Sequence, residues 1–170
     1  SAVRECLSGC SAGETVLVAV SGGADSLALA GALIVEAKEF LITCIGVTID
    51  HQLQDGSDIQ ARKVVNQLER IGYVEVISEK VSVDQSSGLE SGARDARYAA
   101  LHAIAEQRDA VQIYLGHTRD DQAESVLLGL ARGSGARSLA GMAAVNGKIT
   151  RPLLSVTREV TEQACSDLGL

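Results

Sequence analysis

Residues 16–29 read VLVAVSGGADSLAL. Five apolar residues, three of them β-branched, lead into Ser21-Gly22-Gly23-Ala24-Asp25-Ser26, and an apolar stretch of helical character follows. A short apolar run that stops at glycine reads as a buried strand. A glycine-rich turn from a strand into a helix suits phosphate. The glycines let an anion approach the main chain, and the first amides of the helix carry partial positive charge. Ser21 and Ser26 add hydroxyl donors, and Ala24 keeps the turn small. The loop is neither GxxxxGK(S/T) nor GxGxxG. It carries Asp25 where a phosphate-binding lysine would be useful. A bare carboxylate beside a phosphate repels it. Magnesium removes the conflict, because it takes carboxylate and phosphate oxygens together. Asp25 is therefore a candidate Mg²⁺ ligand; a cap on the loop's own amides is the alternative.

Outward from this stretch, strand and helix patterns alternate. Residues 42–49 form a second β-rich run that closes on Asp50-His51. Beyond a turn at Asp55-Gly56-Ser57, apolar residues at 61, 64, 65, 68 and 71 have helical spacing, and Gly72 stops them. A third strand is expected over 73–81, then a polar loop at 84–88 and an alanine-rich helix over 89–108. A fourth strand over 111–115 runs into Gly116-His117, followed by a helix over 120–131 that breaks at Gly133-Ser134-Gly135. Residues 148–154 are expected as a short fifth strand and 158–168 as a last helix. Repeated βα units with apolar strands predict an α/β fold. The sheet is doubly wound, mostly parallel and five-stranded, with helices on both faces. Ligands of such sheets sit beyond the carboxyl ends of the strands, where SGGADS, Asp50-His51 and the segment from His117 to Asp121 fall.

Composition narrows the partners. The 170 residues carry a net charge of −7, and only three tyrosines and one phenylalanine. Long-range steering toward nucleic acid is disfavoured, and so is a surface of stacked aromatics. The charge is uneven. Residues 1–115 hold nine Lys/Arg against sixteen Asp/Glu, whereas 116–170 hold six of each. Arg119, Arg132, Arg137, Arg151 and Arg158 make the C-terminal third the less hostile face for a polyanion; scattered solubilising arginines are the alternative. The four cysteines form no CxxC, and Cys6 and Cys10 have no nearby histidine to complete a zinc site. Cys44 sits in an apolar run as a core residue. Free thiols, no basic leader ahead of an apolar core and no run long enough to span a membrane give the expectation of a cytoplasmic protein without membrane attachment. The ends, Ser1 and a stop at Leu170 just past a helix, fit a piece of something longer.

SGGxDS after a strand resembles the signature of the PP-loop ATP pyrophosphatases, which bind ATP, release pyrophosphate and transfer AMP to a carbonyl-type oxygen. GHTRDDQAE (116–124) and LLGLARGSG (127–135) narrow the match. With Asp50-His51, ESGARDARY (90–98) and RPLL (151–154), the chain resembles the tRNA(Ile)-lysidine synthetase family over residues 16–158. The resemblance implies an ATP-binding catalytic domain over 1–170. Its reaction would join free L-lysine to C2 of the wobble cytidine of an isoleucine tRNA, through an adenylated intermediate. Members of that family carry further domains that help hold the tRNA, so this chain alone is expected to bind tRNA weakly. A tRNA thiolase of the same fold is disfavoured by the missing CxxC. A small-molecule amidating enzyme such as an NAD or GMP synthetase is disfavoured by GHTRDDQAE. A non-catalytic nucleotide-binding module is the alternative of another class.

The chemistry can be weighed against the residues. At pH 7.4 only about one lysine side chain in 10³ is a neutral nucleophile, a barrier of about 4 kcal/mol unless a neighbour takes the proton. Carboxylates and a histidine are therefore expected near the site. Asp121 and Glu124, three apart on a predicted helix, share a face and are candidates to hold the lysine ammonium; an acidic helix start is the other reading. His117 is a candidate donor to phosphate or base oxygen, or a proton shuttle. Arg94 is the favoured guanidinium for charge on the departing pyrophosphate, against a surface pair with Asp95 or Glu90. His51 is expected beside the adenine.

Overall fold

The alternation of strand and helix patterns becomes one sheet in which helices precede β1 to β4. The computed structural model of the chain describes residues 1–52, 56–82, 88–131, 133 and 140–170. The expected turn residue Asp55, the polar loop at 84–87, Arg132, Ser134, Gly135, Arg137 and the side chain of Glu90 lie outside the described residues. In chain order the elements begin with α1 (Ala2–Leu7), β1 (Thr15–Ala19), α2 (Ala24–Phe40) and β2 (Thr43–Asp50). Next come α3 (Ser57–Ile71), β3 (Glu75–Lys80), α4 (Leu89–Gln107) and β4 (Ala110–Leu115). The chain ends with α5 (Arg119–Ala131), β5 (Val145–Asn146), β6 (Ile149–Thr150) and α6 (Arg158–Leu168).

Among the described residues the strands lie in the order β3-β2-β1-β4-β6-β5. All neighbouring pairs are parallel except β5 with β6. The sheet therefore has six strands, one more than expected. The addition is Val145–Asn146, two exposed residues with no apolar pattern to announce them. The Asn146-Gly147 pair, with Gly147 at φ +59°, is the hairpin signal that marks it. The expected fifth strand shrinks to Ile149–Thr150, because Pro152 has no N–H to extend the ladder. The N-terminal turn α1, capped by Ser1, is also additional to the expected elements.

Both faces of the sheet are buried, as parallel strands require. Val16, Val18 and Tyr114 pack with Leu29 and Leu33 of α2 and Leu68 of α3 on one side. Leu17, Val47 and Ile113 pack with Leu101 and Ile104 of α4 on the other. The alternation Val16/Leu17/Val18 thus divides one strand between two cores. Cys44 is buried in the first of these, as expected. At the end of β4 the chain passes very close to the start of α2. A Cβ on Gly116 would stand 2.8 Å from Ser26 Cα and 2.9 Å from Ser26 N, so this position is closed to any side chain. That approach brings the loop after β1 against the loop after β4.

Candidate active site

Strand order reverses direction of winding between β1 and β4, so the segments leaving their carboxyl ends diverge and leave a crevice. A cavity of about 430 Å³ occupies it. Ser21, Gly23, Asp25 and Ser26 form one wall, from the loop after β1 and the first turn of α2. His117 and Asp121, from the segment after β4 and the first turn of α5, form the facing wall. His51 reaches in from the end of β2 and Arg97 from α4.

The SGGADS loop is braced from within. The Ser26 hydroxyl donates to Gly23 O (2.9 Å) and accepts from the Ser21 amide (3.2 Å). Ser26 is therefore chiefly a clamp on the loop, and Ser21, which is exposed, is the freer hydroxyl. Gly22 has φ +92°, and a Cβ there would come within 2.9 Å of Val64. Gly23 is the N-cap of α2 and makes no side-chain cap, and Ala24 opens the helix. The loop thus lines the cavity through Ser21, Gly23, Asp25 and Ser26, beside the first turn of α2, which suits a polyphosphate.

The carboxylates are already engaged. Asp25 Oδ1 accepts from the Thr161 hydroxyl, and Asp25 Oδ2 lies 3.4 Å from Arg158 Nε. The same guanidinium lies 3.0 Å from Asp121 and 3.8 Å from Glu124. Asp121 also holds the start of α5. Its Oδ2 accepts from the amide (2.7 Å) and hydroxyl (2.9 Å) of Thr118, as in a capping box. Burial alone would raise the Asp121 pKa, but these Thr118 bonds and Arg158 outweigh it and the carboxyl is lowered. Asp120 turns the other way and caps α6, accepting from the Arg158 amide at 2.8 Å. Glu124, 64% exposed, sits at the rim rather than in the cavity wall. Sequence marks Arg158 only as one of several arginines open to a polyanion and offers no reading of Thr161 at all, because their partners Asp25 and Asp121 lie far away in the chain.

On the cationic side, Arg94 is exposed, 5.4 Å from the Tyr98 ring centroid, and does not line the cavity. Arg97, one turn further along α4, does. Among the described residues its buried Nε has no hydrogen-bond partner, and neither has the buried Nδ1 of His51. Burial and Arg97 lower the His51 pKa. A guanidinium in a crevice wall is suited to an anion. His117 is held neutral: burial, then Arg151 and Arg97, push its pKa down to about 4. A main-chain cradle, Arg97 and two neutral histidines fit a nucleotide triphosphate. For Mg²⁺ the fit is one protein carboxylate, Asp25, with the remaining ligands from phosphate and water.

A glycine-rich loop after the first strand of a parallel sheet, opening on the switch-point crevice, defines the class, and the chain belongs to the PP-loop domain family, which it matches over residues 3–170. Within that class it is similar to curated proteins named tRNA(Ile)-lysidine synthase. It is 56% identical over 153 residues to the one from Streptomyces coelicolor, covering 88% of this chain and 44% of the relative. It is 50% identical over 169 residues to that of Thermobifida fusca, covering 99% and 52%. The chain spans about half the length of the curated relatives it matches. Among solved structures, the U34-tRNA thiolase NcsA from Methanococcus maripaludis superposes with a TM-score of 0.83 over 99% of this chain and 62% of its own. At 19% identity that likeness establishes the fold alone.

Proposed function

We propose that residues 1–170 are the ATP-binding catalytic domain of an enzyme that ligates L-lysine to C2 of the wobble cytidine of an isoleucine tRNA, in the cytoplasm. ATP would be cleaved to AMP and pyrophosphate. The observation that carries this reading is the pairing, across one crevice, of the PP-loop with the His117–Asp121 wall. It is supported by identities of about one half to lysidine synthases. None of the cysteines lines the cavity among the described residues, which counts against sulfur transfer.

In this reading Gly22, Gly23, Ala24, Ser21 and the first amides of α2 hold the phosphates, with Ser26 bracing the loop. His51 borders the adenine. Asp25 would hold Mg²⁺, which when bound neutralises phosphate charge. Arg97 is placed to oppose charge on the departing pyrophosphate; Arg94 would act from further out. Asp121 and Glu124 receive the lysine ammonium by exchanging it for the guanidinium of Arg158. His117, neutral above about pH 4, donates a hydrogen bond to phosphate or base oxygen and is a poor proton acceptor at neutral pH. The lysine proton therefore goes to a carboxylate or to solvent.

The test is incubation of an isoleucine tRNA with ATP, Mg²⁺ and lysine, with the longest chain containing this domain. Nucleoside mass spectrometry should detect lysidine, and nucleotide analysis AMP with pyrophosphate. ADP with inorganic phosphate as the main products defeats the reading.

A further inference from the structure

Arg151 follows directly on β6 and is 6% exposed, yet it is a cation. A buried guanidinium persists only where its N–H groups are matched. Nη1 donates to Ala143 O at 2.8 Å, Nη2 donates to the Tyr98 hydroxyl at 3.2 Å, and Nε donates to His117 Nδ1 at 3.3 Å. The third contact is chemically one-way. Arginine has no acceptor, so Nδ1 of His117 must present a lone pair and the ring proton must sit on Nε2. The His117 ring borders the cavity.

We infer that Arg151 is the positioning residue that fixes His117 as the Nε2–H tautomer, making it a dedicated hydrogen-bond donor to the substrate oxygen or phosphate in the crevice. Arg151 does this from outside the cavity wall, through His117. The β5–β6 hairpin gains a purpose here. Its two-residue strands place Arg151 between Ala143 O and the hydroxyl of Tyr98 on α4, which hold the guanidinium beside the imidazole. The groups that face His117 act together. Arg97 and Arg94 of α4 oppose its protonation as Arg151 does, and Asp121 of α5 alone favours it. Asp25 and His51 share the cavity. The donor role toward substrate rests on the function proposed above; the tautomer does not.

Proton–nitrogen correlation spectra of the 170-residue chain, labelled in its three histidines, decide the matter without any turnover. His117→Gln assigns the resonance. The wild-type ring is expected as the Nε2–H tautomer from pH 8 down to 5; an Nδ1–H tautomer overturns the inference. Arg151→Met should mix the tautomers and raise the His117 midpoint by one pH unit or more. Arg151→Lys, which can still donate, should restore the Nε2–H form. An Arg151→Met spectrum that is folded and unchanged at His117 also overturns it. If the tautomer result holds while lysidine is absent from the assay above, the function fails and the positioning role stands.

Discussion

The guanidinium of Arg158 lies 3.0 Å from the carboxylate of Asp121, inside the group of acids that the proposed reaction needs for a substrate ammonium. It also reaches Asp25 and Glu124, so one side chain of α6 ties the PP-loop to α5. A free lysine at Asp121 and Glu124 has to compete with it. Arg158→Gln should therefore lower the apparent KM for lysine by about threefold to tenfold, the scale of a partly exposed ion pair. Asp121→Asn and Glu124→Gln should raise it while leaving ATP use less affected. A higher KM in Arg158→Gln would mean that Arg158 builds the lysine site instead of occupying it.

Asp25 is 20% exposed, with Thr161 on one oxygen and Arg158 near the other. Asparagine keeps the acceptor for Thr161 and loses the charge. If the charge serves to hold Mg²⁺ against the triphosphate, both Asp25→Ala and Asp25→Asn should slow tRNA adenylation by tens- to thousands-fold, the range for losing transition-state charge stabilisation. Pyrophosphate release measured across a magnesium titration checks this. Wild-type turnover in Asp25→Asn would reduce Asp25 to a structural partner of Thr161.

Gly116→Ala forces a methyl group against the main chain of Ser26 at 2.8–2.9 Å. Backbone atoms at the start of α2 have no rotamer by which to yield, so the loop must shift. The expected loss is about 1–3 kcal/mol of stability, as for overpacking generally. ATP affinity should fall with it, since the displaced amides are those proposed to hold the phosphates. Denaturant unfolding and equilibrium ATP binding measure the two effects. Loss of neither would show that the close approach is relaxed in solution.

His117 makes stability depend on pH. Its folded pKa of about 4 lies below the ordinary 6.5, because burial and the surrounding arginines disfavour the charged ring. Between those values the unfolded chain binds more protons than the folded one, so stability falls as pH drops from 6.5 toward 4. Below the ordinary 3.8 of a carboxyl, the lowered Asp121 adds a loss of the same sign. His117→Gln should flatten the upper part of this decline in urea unfolding midpoints taken from pH 7 to 4.5. An equally steep decline in the variant would assign the dependence to other groups.

The parallel sheet and its helices were legible because their signals are local. β-branched runs, helical spacing up to Ile71 and the stop at Gly72 each act within a few residues. SGGADS, His51, His117 and Asp121 were legible for the same reason: each stands at the carboxyl end of a strand, and the fold gathers such ends. What the sequence withheld depends on residues far apart. Arg158 meets Asp25 across 133 positions, and Arg151 meets His117 across 34. Nothing in either neighbourhood announces the partner. Sequence points to Arg94 at the site, and Arg97 lines it instead: residues three apart fall about 60° apart around the helix axis, enough to put one in the cavity wall and the other in solvent.

Burial strengthens the expectation that this chain binds ATP–Mg²⁺ and holds tRNA weakly. Net charge is −7, so there is no long-range pull toward RNA. Tyr73 and Tyr114 are 3% and 0% exposed. Tyr98 is half-buried under Arg151, and Phe40 is half-buried beside Arg4. That leaves no free ring on which anticodon bases can stack. Of the arginines that lighten the C-terminal third, Arg151 is buried and Arg158 is held by carboxylates, while Arg119 is exposed. A few phosphate contacts give non-specific affinity of about 10⁻⁴–10⁻⁶ M, and that affinity falls steeply with salt. The PP-loop needs none of these groups, since its glycines and helix amides are its own. Calorimetry with ATP–Mg²⁺ should therefore detect binding, and gel shifts with isoleucine tRNA at physiological salt should show none below about 1 μM. Tight, salt-resistant tRNA binding by residues 1–170 would place RNA recognition inside this domain.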